Sequence, residues 1–342
     1  MYLKMQIKNF LNKLNFSLGN KPRVLPHSKN VRDRFIPHPY RTVLIISCDF
    51  ELIWAWKFAK EINCDLAKAR MRAAEERENF SLVLELSKVF NIPITWATVG
   101  HLFLESCTNE GGLPHKDMPR LSYFKNKYWK FVKGDWFDGD PCCNWQNALE
   151  WYAPDLIKKI IDSGIKHEIA CHTFSHIDCR NKICPEEVFR KELQKYKEVA
   201  SKYGIPLKSF VFPGNLIGNV KVLKEEGFAS YRVDKDILGF PQRDKYGLWE
   251  IPTTAEIGPY PYNWGLDYYI KRYKTILENA SEYGRLCHFW FHVSTDREFL
   301  KKSLFDLFNF IDKKREHIYI TTIKDYVQFL ENGNFLKNRT QL

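Results

Sequence analysis

Two histidines four residues apart, His172 and His176, follow the short apolar run EIAC in the segment H-T-F-S-H. On one turn of chain that spacing brings both imidazoles to one side, within reach of a single divalent ion. Asp49 and Glu51 close another apolar run, VLIISC. One of these carboxylates can complete a metal set with the histidines, while the other stays free as a proton acceptor. His292 ends a third run, LCHFWFHV, and can face them as a general acid. Asn215, in F-P-G-N, and Arg232, in S-Y-R-V-D, end two more. A single H-x-x-x-H pair is common by chance, but five strand ends with compatible chemistry are much harder to dismiss.

Reacting groups collect at strand ends in parallel α/β architectures, so the elements must supply that frame. Runs of strand length recur at 43–48, 94–99, 168–172, 209–213, 229–233, 286–293 and 317–322. Helical patterns fall between them, at about 74–90, 154–164, 185–203, 218–226, 266–282 and 297–313, and a final helix follows. The helix at 154 has Pro154 at its entrance and Gly164 as its C-terminal cap. Strict alternation of strand and helix predicts a parallel sheet, either closed as a barrel or open and doubly wound. No linker divides residues 41–335, which are read as one domain. Residues 105–150 are too long and irregular for an ordinary connection and are expected to form a lid or substrate loop.

Composition bounds the reading. The chain has 342 residues, 44% hydrophobic and 27% charged, enough for a real core and unlike a disordered or fibrous protein. No apolar stretch is long enough to span a membrane, and the N-terminal segment lacks the pattern of a secretory signal, so a cytoplasmic protein is expected. Nine cysteines without a C-x-x-C pair are read as reduced, buried thiols. Cys171, Cys179 and Cys184 flank the histidine pair at spacings that fit no zinc finger or ribbon, and are read as structural. The net charge is +11, but residues 1–42 alone carry +8, which leaves +3 for the rest. A nucleic-acid groove is therefore not expected.

The segments S-C-D-F-E-L-I-W-A-W, T-W-A-T-V-G, H-E-I-A-C-H-T-F-S-H, F-P-G-N and H-F-W-F-H, in this order, resemble the polysaccharide deacetylases, the NodB-homology carbohydrate esterases. The likeness covers roughly residues 40–330 and is strongest to the branch found in bacterial surface-polysaccharide biosynthesis. It implies a distorted (β/α) barrel of about seven parallel strands and a zinc-type ion. It also implies roles: Asp49 as catalytic base, Glu51, His172 and His176 as metal ligands, and His292 as catalytic acid. Because Phe50 separates two acidic residues that the family motif has side by side, the roles of Asp49 and Glu51 are open to exchange. Where this branch usually carries an arginine the chain has Gly214, and Arg232 is the candidate substitute.

The activity so implied is removal of an N-acyl group from a sugar, in lipopolysaccharide-type or capsule-type glycan assembly. Alternatives are an amidase of the same fold acting on a formyl group or a ureide, and a carbohydrate-binding pseudoenzyme. A backbone N–H near Asn215 is expected to hold the oxyanion. Trp54 and Trp290 are the candidate stacking platforms for sugar rings, among tryptophans that also include Trp56, Trp129, Trp136, Trp145 and Trp151. Residues 1–40 form a basic arm in which Leu3, Ile7, Phe10, Leu11, Leu14 and Leu18 draw an apolar stripe at helical spacing. That arm is expected either to dock on the inner face of an anionic membrane, beside a lipid-linked glycan, or to pack on the barrel.

Overall fold

Strand β1 (Thr42–Phe50) is buried at all nine positions, which is why its sequence is apolar almost throughout rather than alternating. The computed structural model describes residues 22–27, 29–259 and 264–338. Along one side of β1 runs β8 (Leu286–His292), parallel and in a register that ends with His292 level with Asp49. The other side is shared. Strand β2 (Thr95–Thr98) pairs with the upper half of β1, and β9 (Ile318–Thr321) with the lower half. Beyond β2 lie β3 (Glu168–Cys171), β4 (Ser209–Phe210) and β5 (Ser230–Val233), all parallel.

The expected alternation breaks after β5. Two strands, β6 (Trp249–Pro252) and β7 (Ala255–Glu256), follow with no α-helix before them. β6 pairs with β5 and β7 with β8, so the Thr253-Thr254 step joins the two ends of the sheet. Thr254 N–H donates to the His288 carbonyl at 2.8 Å. The result is a distorted barrel whose strands are mostly parallel, with β9 as a half-length extra strand. The two added strands are short and interrupted by a threonine pair, so they leave no apolar run to read.

Helices α1 (Leu66–Val89), α2 (Pro154–Ile161), α3 (Glu186–Ser201), α4 (Leu266–Tyr283) and α5 (Arg297–Asp312) connect successive strands. Helix α1 starts eight residues before the expected position. Asp65 caps it, accepting from Ala67 N–H at 2.9 Å and Lys68 N–H at 3.2 Å, ahead of the first turns of the apolar stripe.

Residues 105–150 contain two short hairpins and a set of buried aromatic residues. Trp129 Nε1–H donates to the Ala55 carbonyl at 3.1 Å and Trp136 Nε1–H to the Ser175 carbonyl at 2.9 Å. The insertion thus forms a fixed wall over the strand ends, built on its buried tryptophans. Among the described residues no helix is long and apolar enough to cross a membrane. The apolar stripe Leu3–Leu18 of the arm lies outside the described residues.

Gly100 makes a close approach that the site depends on. A Cβ there would lie 2.6 Å from Tyr196 Cδ2 and 3.1 Å from Phe174 Cα, and Gly100 N–H donates to the Thr173 carbonyl at 2.9 Å. Gly100→Ala is therefore expected to destabilise the fold by about 1–3 kcal/mol through overpacking. Denaturant unfolding measures this, and an unchanged midpoint would mean that the Tyr196 ring yields freely.

Candidate active site and metal centre

The strand ends converge as the residue types require. Glu51 leaves the tip of β1 with its carboxylate buried, and Oε1 lies 3.0 Å from His172 Nε2 and 2.8 Å from His176 Nε2. His172 donates its Nδ1–H to the Val211 carbonyl at 2.7 Å, which fixes the tautomer and leaves Nε2 as a lone-pair donor. A bare imidazole nitrogen facing a carboxylate oxygen at this distance pairs two acceptors, which a cation resolves. Glu51, His172 and His176 are a ligand set that fits a divalent ion.

Asp49 serves a different partner. Arg232, on β5, holds it bidentately, Nη1 to Oδ1 at 2.6 Å and Nη2 to Oδ2 at 2.6 Å, with both side chains almost fully buried. The guanidinium lies 4.6 Å from the Trp290 ring centroid, and Nη2–H also donates to Asn215 Oδ1 at 3.3 Å. This geometry separates the two carboxylates: Glu51 faces the imidazoles and Asp49 faces the arginine.

The glycine at 214 has a steric cause. Its φ is +59°, and a Cβ would stand 2.9 Å from Trp129 and 3.1 Å from Tyr128 of the insertion. An arginine side chain has no room there, and the guanidinium arrives from the neighbouring strand instead.

His292 sits at the rim, with Nε2 4.0 Å from Asp49 Oδ2 and Nδ1 3.5 Å from Glu256 Oε1. Burial would lower its pKa, but Glu256, Glu51 and Asp49 outweigh that and raise it above the ordinary histidine value. The imidazolium is the form such surroundings favour. His288, four residues earlier on β8, is a core histidine bonded to Ser47 Oγ at 2.8 Å and pushed down to about 3, chiefly by burial.

Two expectations are corrected. Trp54 is sealed in the core: its Nε1–H donates to the Trp151 carbonyl at 3.3 Å and its ring centroid lies 4.4 Å from that of His101, so it offers no face to a sugar. The backbone N–H of Asn215 donates to the Phe212 carbonyl at 2.9 Å and that of Leu216 to the Pro213 carbonyl at 3.1 Å, so neither of these N–H groups near Asn215 is free as an oxyanion donor. Asn215 meets the site through its side chain, on Arg232. Trp290 is mostly buried beneath that arginine, so any sugar contact would involve only its exposed edge.

Three carboxylates escaped the sequence reading. Glu76 of α1 is fully buried and accepts the N–H groups of Glu51 at 2.7 Å and Leu52 at 3.1 Å, fixing the turn on which Glu51 rides. Burial and the Glu51 charge push it up to about 8. Glu192 of α3 likewise accepts Ser175 N–H at 2.8 Å and Oγ–H at 2.7 Å, inside the H-T-F-S-H turn where Thr173 and His176 have positive φ. Glu256 faces His292 from β7. A glutamate on the apolar stripe shared with Phe80 and Val83 was the available signal for Glu76, whereas Glu256 lies on a strand the sequence conceals.

Removing one partner of a desolvated ion pair strands the other. Arg232→Met is expected to cost about 3–5 kcal/mol, and Arg232→Met with Asp49→Asn distinctly less. Denaturant titration of both variants checks this, and equal losses would mean that Asp49 is not held as a buried anion.

Against known proteins, the polysaccharide deacetylase family profile matches residues 76–232. No curated protein matches the chain in sequence. A Pseudomonas aeruginosa PAO1 structure named as a polysaccharide deacetylase superposes with a TM-score of 0.62 at 12% identity, covering 90% of this chain and 95% of its own. One from Mycobacterium smegmatis gives 0.60 at 15% identity, covering 92% and 96%. The Puue allantoinase gives 0.61 at 14%, covering 89% and 93%. At these identities the superpositions establish the fold, that of the polysaccharide deacetylase structures, and the family profile matches the part of the chain from 76 to 232.

Proposed function

We propose that the chain is a metal-dependent hydrolase that removes an N-acetyl group from a sugar. The observation that carries this reading is the division of labour at one cleft, with Glu51, His172 and His176 around one point, Asp49 clamped by Arg232 beside it, and His292 at the rim. Two imidazoles and a carboxylate suit zinc, the ion we assign. A cation held there supplies Lewis acidity toward the acyl oxygen and makes a water easier to deprotonate.

The chain's own groups do the rest. Asp49 keeps a lone pair on each oxygen beyond its bonds to Arg232, and accepts the proton of the attacking water. Arg232 keeps the carboxylate ionised and prevents it from turning away. His292 delivers the Nε2 proton to the sugar nitrogen as the C–N bond breaks, releasing acetate and a free amine. With acid, base and ligand positions all filled, a pseudoenzyme is the weaker reading. The surface-glycan setting and a lipid-linked substrate reached from the cytoplasmic face of the membrane rest on the resemblance to that branch and on the basic arm.

The roles are separable by experiment. Asp49→Asn should keep the metal and lose at least about a hundredfold in turnover of acetamido sugars, the usual scale for a lost general base. His172→Ala should lose the equivalent of metal bound at this site. Full metal occupancy in His172→Ala would sink the ligand assignment, and turnover of allantoin but no acetamido sugar would move the substrate to the ureide class.

The pH profile reports on Glu256. Its carboxylate stabilises the His292 imidazolium, so Glu256→Gln lowers that pKa and the proton is lost at lower pH. The alkaline limb of kcat/KM should therefore shift to lower pH. A limb that stays in place would remove Glu256 from the proton-donor assembly.

A further inference from the structure

A second set of ligands lies behind the first. His101 follows β2 in the turn Gly100–Phe103, and Cys107, His115 and Asp140 come from the insertion. His101 Nε2 is 3.0 Å from His115 Nε2 and 2.8 Å from Asp140 Oδ2, and His115 Nε2 is 3.0 Å from the same oxygen. Cys107 Sγ lies 3.4 Å from that oxygen. The histidines and the aspartate are buried. Ligands of a tetrahedral zinc stand about 3.3–3.7 Å apart, so these atoms need only open by a few tenths of an ångström around an ion.

The surroundings are those of a metal shell rather than a proton network. His101 directs Nδ1 to the Trp151 carbonyl at 3.1 Å, so in the neutral ring Nε2 carries a lone pair. Asp140 uses its other oxygen to accept from Tyr152 Oη–H at 2.6 Å and Cys142 N–H at 3.1 Å. Three acceptor atoms thus face one another with a thiol beside them. One proton on His115 Nε2 cannot serve both His101 and Asp140 while also separating those two. The nearby cation, Lys57, donates instead to the Trp136 carbonyl and lies 4.0 Å from the Trp54 ring centroid.

We propose that His101, Cys107, His115 and Asp140 form a second, structural metal site that takes a zinc-type ion and staples the insertion to the barrel. The staple sits one peptide away from the catalytic turn. His101 N–H donates to the Phe174 carbonyl at 2.8 Å, midway between His172 and His176. The insertion it holds carries Trp129, whose ring lies edge-on to His176 with centroids 5.2 Å apart, and Trp136, bonded to Ser175. Cys142 Sγ, 2.6 Å from Cys107 Sγ, makes a disulfide the competing arrangement.

Cobalt distinguishes the two sites, because only the second contains sulfur. The full chain stripped of metal and reloaded with Co2+ should show a thiolate-to-cobalt charge-transfer band in the near ultraviolet. A His172→Ala, His176→Ala double variant should keep that band and one equivalent of metal, while Cys107→Ser should lose it. Chelation should also speed tryptic cleavage within 105–150. Absence of the band in the parent chain at saturating cobalt would overturn the site even if Cys107→Ser failed to fold. So would survival of the band in Cys107→Ser, or a parent chain purified with one equivalent of metal and a Cys107–Cys142 disulfide by intact mass.

Discussion

Asp49 and Glu51 are two carboxylates, two residues apart, each about 3% exposed. Burying a carboxylate without positive charge or donors costs several kcal/mol, so the fold must bring both to this point. It does so from three separate segments, with a fourth holding the backbone. Arg232 arrives on β5, the two imidazoles on the turn after β3, His292 on β8, and the Glu76 carboxylate anchors the peptide N–H groups beneath them. The charge requirement thereby ties the ends of four strands and a helix together, and each group is held in a fixed state.

The insertion and the glycine at 214 fit one another. Trp129 and Tyr128 occupy the space that a side chain at 214 would need, and positive φ there excludes most residues in any case. With that route closed, a guanidinium must come from elsewhere, and β5 offers the next strand end. Trp290 beneath it and Asn215 beside it hold it in the plane needed for a bidentate bond.

Buried acid groups recur at the turns. Glu76 and Glu192 each accept two donors from a segment that carries a ligand, and each is pushed up by burial, to about 8 and about 7. Burial weakens their ionisation, so they position backbone while adding less repulsion to Glu51 than ordinary carboxylates would. The positive φ values of Leu52, Thr173 and His176 lie on the segments they hold. Strain at these residues is maintained by hydrogen bonds from helices α1 and α3.

The sequence by itself determined the parallel frame and pointed to most of the residues that meet at the candidate site. Apolar runs such as VLIISC and LCHFWFHV read as doubly buried strands, and polar residues directly after them gather at one edge of a parallel sheet. Tertiary structure decided what has no local signature. The roles of Asp49 and Glu51 depend on which partner each meets across the barrel, 121 and 125 positions away for the two histidines and 183 for Arg232. Strands β6 and β7, and with them Glu256, are too short to show a period. Trp54 reads as a surface platform until the insertion closes over it. His101, Cys107, His115 and Asp140 follow no metal-binding spacing, because an irregular chain brings them together by folding back, and only the folded distances disclose the cluster.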